Sequence, residues 1–191
     1  MTARPRTTKE DVVRAAGKLF SERGFHGTSM RDLGSMLGME GSSLYAHITG
    51  KDQLLLEVIS RGAGMFQGLA DEVLSSGDPP DVQLRSLIHG HVLIVVDHLD
   101  EARTFLNEAR FLPEPQRSKV LELRRRYQDV YEEVVRRGIA AGLWSRHPPR
   151  LMAIFILSIL NLLDRWYRPQ GQRSPADLAG DIYEFVTEGL S

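Results

Sequence analysis

Ser42, Ser43, Tyr45 and His47 form a cluster of uncharged hydrogen-bonding side chains. These residues share one face of a short segment whose other face carries Leu44 and Ile48. Two small hydroxyls, a phenol and an imidazole form a surface with little bulk and no fixed charge. Such a surface is suited to reading hydrogen-bond donors and acceptors, and a helix carrying it fits the major groove of DNA. The alternative is an ordinary polar helix surface, because helical hairpins of this spacing recur in proteins that never touch DNA.

The elements that position this face can be read from periodicity. Met30, Leu33 and Leu37 predict a helix over 30–37, capped by the side-chain oxygen of Thr28 or Ser29 and stopped by Gly38. A second helix starts near Gly41 and turns Leu44 and Ile48 inward. Ahead of the pair, Thr8 with Asp11 three residues later opens a helix that runs to Arg23. Its buried face is Val12, Ala15, Ala16, Leu19 and Phe20, and Phe25 plugs the core of the three helices. Arg4, Arg6 and Lys9 lie on a basic arm that either reaches phosphates and a minor groove or is simply solvated. A fourth helix spans Lys51 to about Leu74, with Gly62, Gly64 and Gly68 as candidate hinge points, and Ser75 to Pro80 breaks the chain. Five further helices follow: Asp81–Leu99, Asp100–Leu112, Pro115–Ala141, Pro148–Tyr167 and Ser174–Leu190. The expected fold is all-α with about nine helices. A three-helix helix-turn-helix domain at residues 1–60 precedes a larger helical domain at 61–191 that binds a ligand and dimerises.

Composition closes off several other classes. With 42% hydrophobic residues the chain can build a core, and with no cysteine it has neither a disulfide framework nor a thiolate nucleophile. The apolar run Leu151–Leu163 is interrupted by Ser158 and Asn161, and it is too short for a bilayer, which takes roughly 20 apolar residues. No membrane association is expected, and the N-terminus lacks the apolar core of a signal peptide, so the expected location is cytoplasmic. The net charge of −1 hides an asymmetry: residues 1–61 hold nine Lys/Arg against seven Asp/Glu, and the remainder fifteen against eighteen. His89 and His91 point to different helix faces and His98 lies further along, which argues against a metal site. No nucleophile motif, phosphate loop or metal box appears, so neither an enzyme nor a cofactor is expected.

The helix over 151–166 is apolar on nearly every side and must be covered on every side. One small domain covers only part of it. A second copy, pairing this helix and the last one into a two-fold four-helix interface, covers the rest. A homodimer would also offer two reading helices to two half-sites of double-stranded operator DNA.

The stretches LFSERGFHGTSM and RDLGSMLGMEGSSLYAHITGKDQLLLEV resemble the TetR family of bacterial transcriptional regulators, with Thr28, Gly38, Leu44, Tyr45 and Lys51 at the family's positions. Glu40 departs from the family's usual Ser or Thr cap, as do Ile48 from Phe and Gly34 from Ala. The resemblance implies DNA contacts at Thr28, Ser42, Ser43, Tyr45, His47 and Lys51, with Arg6 on the arm. Tyr45 and Lys51 are expected on phosphates, and Ser42, Ser43 and His47 on base edges. The segments Asn107–Arg110 and Asp164–Pro169 resemble those of family members that respond to acyl-CoA thioesters. They imply a small-molecule effector of that kind, with Glu108, Tyr127, Tyr131, Asn161, Arg165 and Trp166 as candidate contacts. Asp164 and Arg165 are either an ion pair or polar handles of that pocket. Arg124, Arg125 and Arg126 are either a solvated face or partners of the effector's phosphates. The competing class is a helical small-molecule carrier or enzyme with a purely structural hairpin. Exchanging Tyr45 for Ala separates the two, because only a DNA reader loses DNA binding while keeping its ligand.

Overall fold

The structure, a computed structural model, describes residues 7–39, 44–46, 48–145, 147–168 and 170–190. Among these residues every regular element is helical. They pack as two compact units: the first holds the chain up to Gly62 together with Asp100–Ser118, and the second holds Ala63–Leu99 with Lys119–Ser191.

In the first unit, α1 (Lys9–Arg23) begins with the reciprocal cap that the sequence predicts. The Asp11 N–H donates to Thr8 Oγ1 at 3.2 Å, and Asp11 Oδ2 accepts the Thr8 N–H at 2.9 Å. Gly24 ends the helix at φ 74°, in the region that favours glycine. The cap of α2 (Met30–Leu37) is Ser29 rather than Thr28, and it repeats the reciprocal arrangement with Asp32. Gly38 closes α2 in the left-handed conformation at φ 62°. Leu33, Leu44 and Ile48 are buried with Leu19, Phe20 and Phe25, so the hairpin's apolar face forms the core of this unit.

The helix α3 (Lys51–Ser75) runs uninterrupted through all three of its candidate hinge glycines. Gly62 has a packing reason instead. A Cβ there would lie 2.7 Å from the Glu101 carbonyl oxygen and 2.9 Å from Phe105 Cβ, so glycine is what lets α3 approach α5 (Leu99–Asn107). The expected helix over 100–112 stops at Asn107 and continues as a 3-10 turn, Ala109–Phe111, ahead of Pro113.

The second unit contains α3 from Ala63 onward, α4 (Pro80–Asp97), α6 (Gln116–Ala140) from Lys119 onward, α7 (Pro149–Asn161), α8 (Leu163–Trp166) and α9 (Pro175–Leu190), with α9 packed along α4. The single helix expected over 148–167 is split at Leu162. The Leu162 N–H donates one residue short of the α-helical partner, to the Ile159 carbonyl at 3.3 Å, and this tightened turn separates α7 from α8. No helix among the described residues is long and apolar enough to cross a membrane.

Candidate DNA interface and ligand site

Of the expected DNA contacts, Arg6, Ser42, Ser43 and His47 lie outside the described residues, as does Glu40. Tyr45 carries helical backbone and is 56% exposed, while its neighbour Leu44 is fully buried. Leu44 therefore holds the segment to the core, and the Tyr45 phenol is turned to solvent. Lys51, the first residue of α3, places Nζ 4.1 Å from the centre of the Phe25 ring. Thr28 is different: it is buried, and its hydroxyl donates back to the carbonyls of Gly24 at 3.0 Å and Leu19 at 3.2 Å. That side chain holds the turn between α1 and α2. Lys9, expected on the basic arm, is instead the first residue of α1 and pairs with Glu57 at 2.8 Å.

The candidate ligand residues separate into three groups. Glu108 belongs to the first unit, where its Oε2 accepts the Phe25 N–H at 2.6 Å. Tyr127 and Tyr131 lie in the core of the second unit. The Tyr131 hydroxyl donates to the Leu87 carbonyl at 3.1 Å, and the Tyr127 hydroxyl lies 3.4 Å from it and 3.3 Å from His91 Nδ1. Burial pushes both phenols above their ordinary range and lowers His91 to about 3, so the imidazole is neutral. The third group follows α7 and α8: Asn161 is half-buried, and Arg165 and Trp166 are exposed. Asp164 is buried while Arg165 faces solvent, so adjacent residues sit in opposite environments.

Sequence reasoning missed His91 as the polar centre of the ring cluster with Phe66, Tyr127 and Tyr131. Its place on an apolar helix four residues after Leu87 was the available signal. A separate surface groove of about 460 Å³, lined by Leu69, Val73, Arg85, His89 and Ala179, also went unforeseen. Arg125 and Arg126 pair with Glu122 at 3.6 and 3.3 Å on an exposed face, whereas Arg124 is partly buried, which lowers its guanidinium from the ordinary value. Among the described residues no group of three or more His, Asp or Glu is placed to hold a metal ion.

Large apolar side chains are exposed on α7 and α9. Phe155 is 53% and Phe185 67% exposed, Leu151 and Ile154 on α7 are exposed too, and so is Trp166 on α8. Phe155, Ile159, Phe185 and Val186 line an apolar groove of about 330 Å³ on this face. A surface of this kind on a chain of this size marks an interaction face.

Two capped helices, an exposed Tyr45 beside the buried Leu44, and a following helical unit with exposed aromatic side chains are the features expected of a helix-turn-helix regulator. Residues 12–58 match the model of the bacterial regulatory proteins of the TetR family, and residues 77–190 match the tetracyclin repressor-like C-terminal domain. The chain belongs to the TetR family. It is accordingly a bacterial transcriptional regulator of that family rather than an enzyme. The HTH-type transcriptional repressor KstR2 of Mycolicibacterium smegmatis is 26% identical to it over 200 residues, covering 99% of this chain and 93% of the relative. The structure of ketosteroid transcriptional regulator KstR2 of Mycobacterium tuberculosis superposes with a TM-score of 0.91 at 21% identity, over 98% of this chain and 97% of the other. AibR in complex with isovaleryl coenzyme A and operator DNA superposes with a TM-score of 0.83 at 23% identity, over 95% and 97% of the two chains. At these identities the two structural likenesses establish the fold.

Proposed function

We propose that the protein is a cytoplasmic homodimer that binds a two-fold operator and is released by an apolar effector of the acyl-CoA type. The observation that carries the DNA-reading part is Tyr45, exposed to solvent beside the buried Leu44 and Ile48. Tyr45 and Lys51 contact phosphates and fix the register. Ser42, Ser43 and His47 read base edges, and Arg6 reaches DNA from the arm. Thr28 acts by holding the turn that leads into α2.

The effector reading rests on the resemblance of 107–110 and 164–169 to acyl-CoA-responsive members and on the isovaleryl coenzyme A held by AibR. Its contacts are Tyr127, Tyr131, Asn161, Arg165 and Trp166. Effector binding favours a spacing of the two reading heads that no longer matches the operator, which is a shift of population between two arrangements. The dimer forms through the open apolar face of α7 and α9, which supplies the two-fold relation that paired half-sites need.

The test is Tyr45→Ala, measured by fluorescence anisotropy on duplexes selected from a random pool. Because Tyr45 is exposed, folding is expected to survive and DNA affinity to fall. An unchanged affinity would remove the hairpin from the DNA interface.

A further inference from the structure

Glu108 was expected to touch the ligand, but the geometry gives its carboxyl group a different partner. It sits in the first unit, buried, and Oε2 accepts the Phe25 N–H at 2.6 Å, 83 residues away in sequence. Its main-chain carbonyl accepts the Phe111 N–H at 3.0 Å. The rings of those two partners stack on each other, with centroids 5.9 Å apart and planes at 19°. One residue thus holds both members of an aromatic pair, one through its side chain and the other through its backbone. The Lys51 ammonium is seated over the Phe25 ring at 4.1 Å. A lysine on a free stem samples many rotamers, and an aromatic face beneath the ammonium narrows that sampling. The Thr28 N–H donates to the Phe25 carbonyl at 3.3 Å, so the Phe25 main chain is held on both sides.

We infer that Glu108 is a positioning residue for DNA binding: through the backbone of Phe25 it fixes the ring that seats the Lys51 ammonium for a phosphate. This rests on the proposed contact of Lys51 with the DNA backbone. It assigns Glu108 to the DNA-reading side of the protein.

Counterion release makes the assignment measurable without knowing the operator. Each phosphate contact contributes about 0.9 to the slope of log affinity against log salt, which at physiological salt is roughly fivefold in affinity per reading head. The full-length dimer is titrated with a short duplex of arbitrary sequence across a range of salt. Lys51→Ala is expected to lower the slope by about 0.9 per head. Glu108→Ala is expected to lower it equally, and the double variant no further, since both remove the same contact. Glu108→Gln keeps an acceptor oxygen in place and should restore the wild-type slope. Phe25→Leu keeps the N–H donated to Glu108 but removes the ring face, so it should lower the slope even if Glu108→Ala fails to fold. A wild-type slope in Lys51→Ala overturns the phosphate contact, and the positioning role with it. A lowered slope in Lys51→Ala beside wild-type slopes in Glu108→Ala or Phe25→Leu overturns the positioning role alone, as does a double variant weaker than either single one.

Discussion

The exposed apolar face makes a quantitative prediction for Phe185→Glu. Phe185 is 67% exposed at the rim of the groove between α7 and α9. A phenylalanine presents about 200 Å² when free, so about 130 Å² of this ring is available to a partner. At about 25 cal/mol per Å², covering it contributes roughly 3 kcal/mol, and a two-fold dimer covers it twice, for about 6 kcal/mol. Association and side-chain ordering take back part of that gain. Even half of the total, about 3 kcal/mol, corresponds to at least a 100-fold rise in the dimer dissociation constant. The glutamate adds the cost of a carboxylate placed against apolar surface. Sedimentation velocity across a concentration series should show wild-type dimers and Phe185→Glu monomers, with the far-ultraviolet circular dichroism of the monomer unchanged because the ring is not part of the core. A Phe185→Glu dimer with the wild-type constant would refute the assignment of this face.

Two further perturbations probe the core and the helix contacts. His91 has its folded pKa lowered to about 3 by burial, so the unfolded chain binds the extra proton as pH falls below its ordinary value. Stability is therefore full above about pH 6.5 and declines from there towards pH 3 by up to about 1.4 kcal/mol per pH unit. His91→Leu should remove that component, leaving a shallower acid limb in urea unfolding; identical limbs would exclude a neutral buried imidazole. At the glycines of α3, Gly62→Ala pushes a methyl to 2.7 Å from the Glu101 carbonyl and should destabilise by about 1–3 kcal/mol. Gly64→Ala meets nothing within 4 Å and should stabilise by up to about 1 kcal/mol. Thermal melts of the pair decide between a packing role and a hinge role, since a hinge role predicts no such contrast.

Local signals were readable where the chemistry was local. Thr8 with Asp11 and Gly38 after Leu37 each needed only near neighbours, and α1 and α2 begin and end where those residues placed them. The break at Leu162 was hidden because Leu160, Leu162 and Leu163 keep apolar residues on both sides of it, and hydropathy does not register a change from i→i+4 to i→i+3 bonding. Nor did periodicity show that Asp100–Ser118 packs with the N-terminal helices, because the contacts responsible, Phe25 with Glu108 and Gly62 with Glu101, join residues far apart in sequence. Thr28 illustrates the same limit at a single position. A threonine at the mouth of a helix looks equally suited to DNA and to the cap, and only its burial shows that the hydroxyl is spent on Gly24 and Leu19.

The most direct test of the whole account is titration of an acyl-CoA such as isovaleryl coenzyme A into the protein bound to a duplex selected from a random pool, with anisotropy and stoichiometry followed together. The account predicts two protomers per duplex, affinity that falls steeply with salt, and dissociation as the thioester is added. Binding that is insensitive to salt, or a complex that acyl-CoA thioesters of every chain length leave intact, would contradict it.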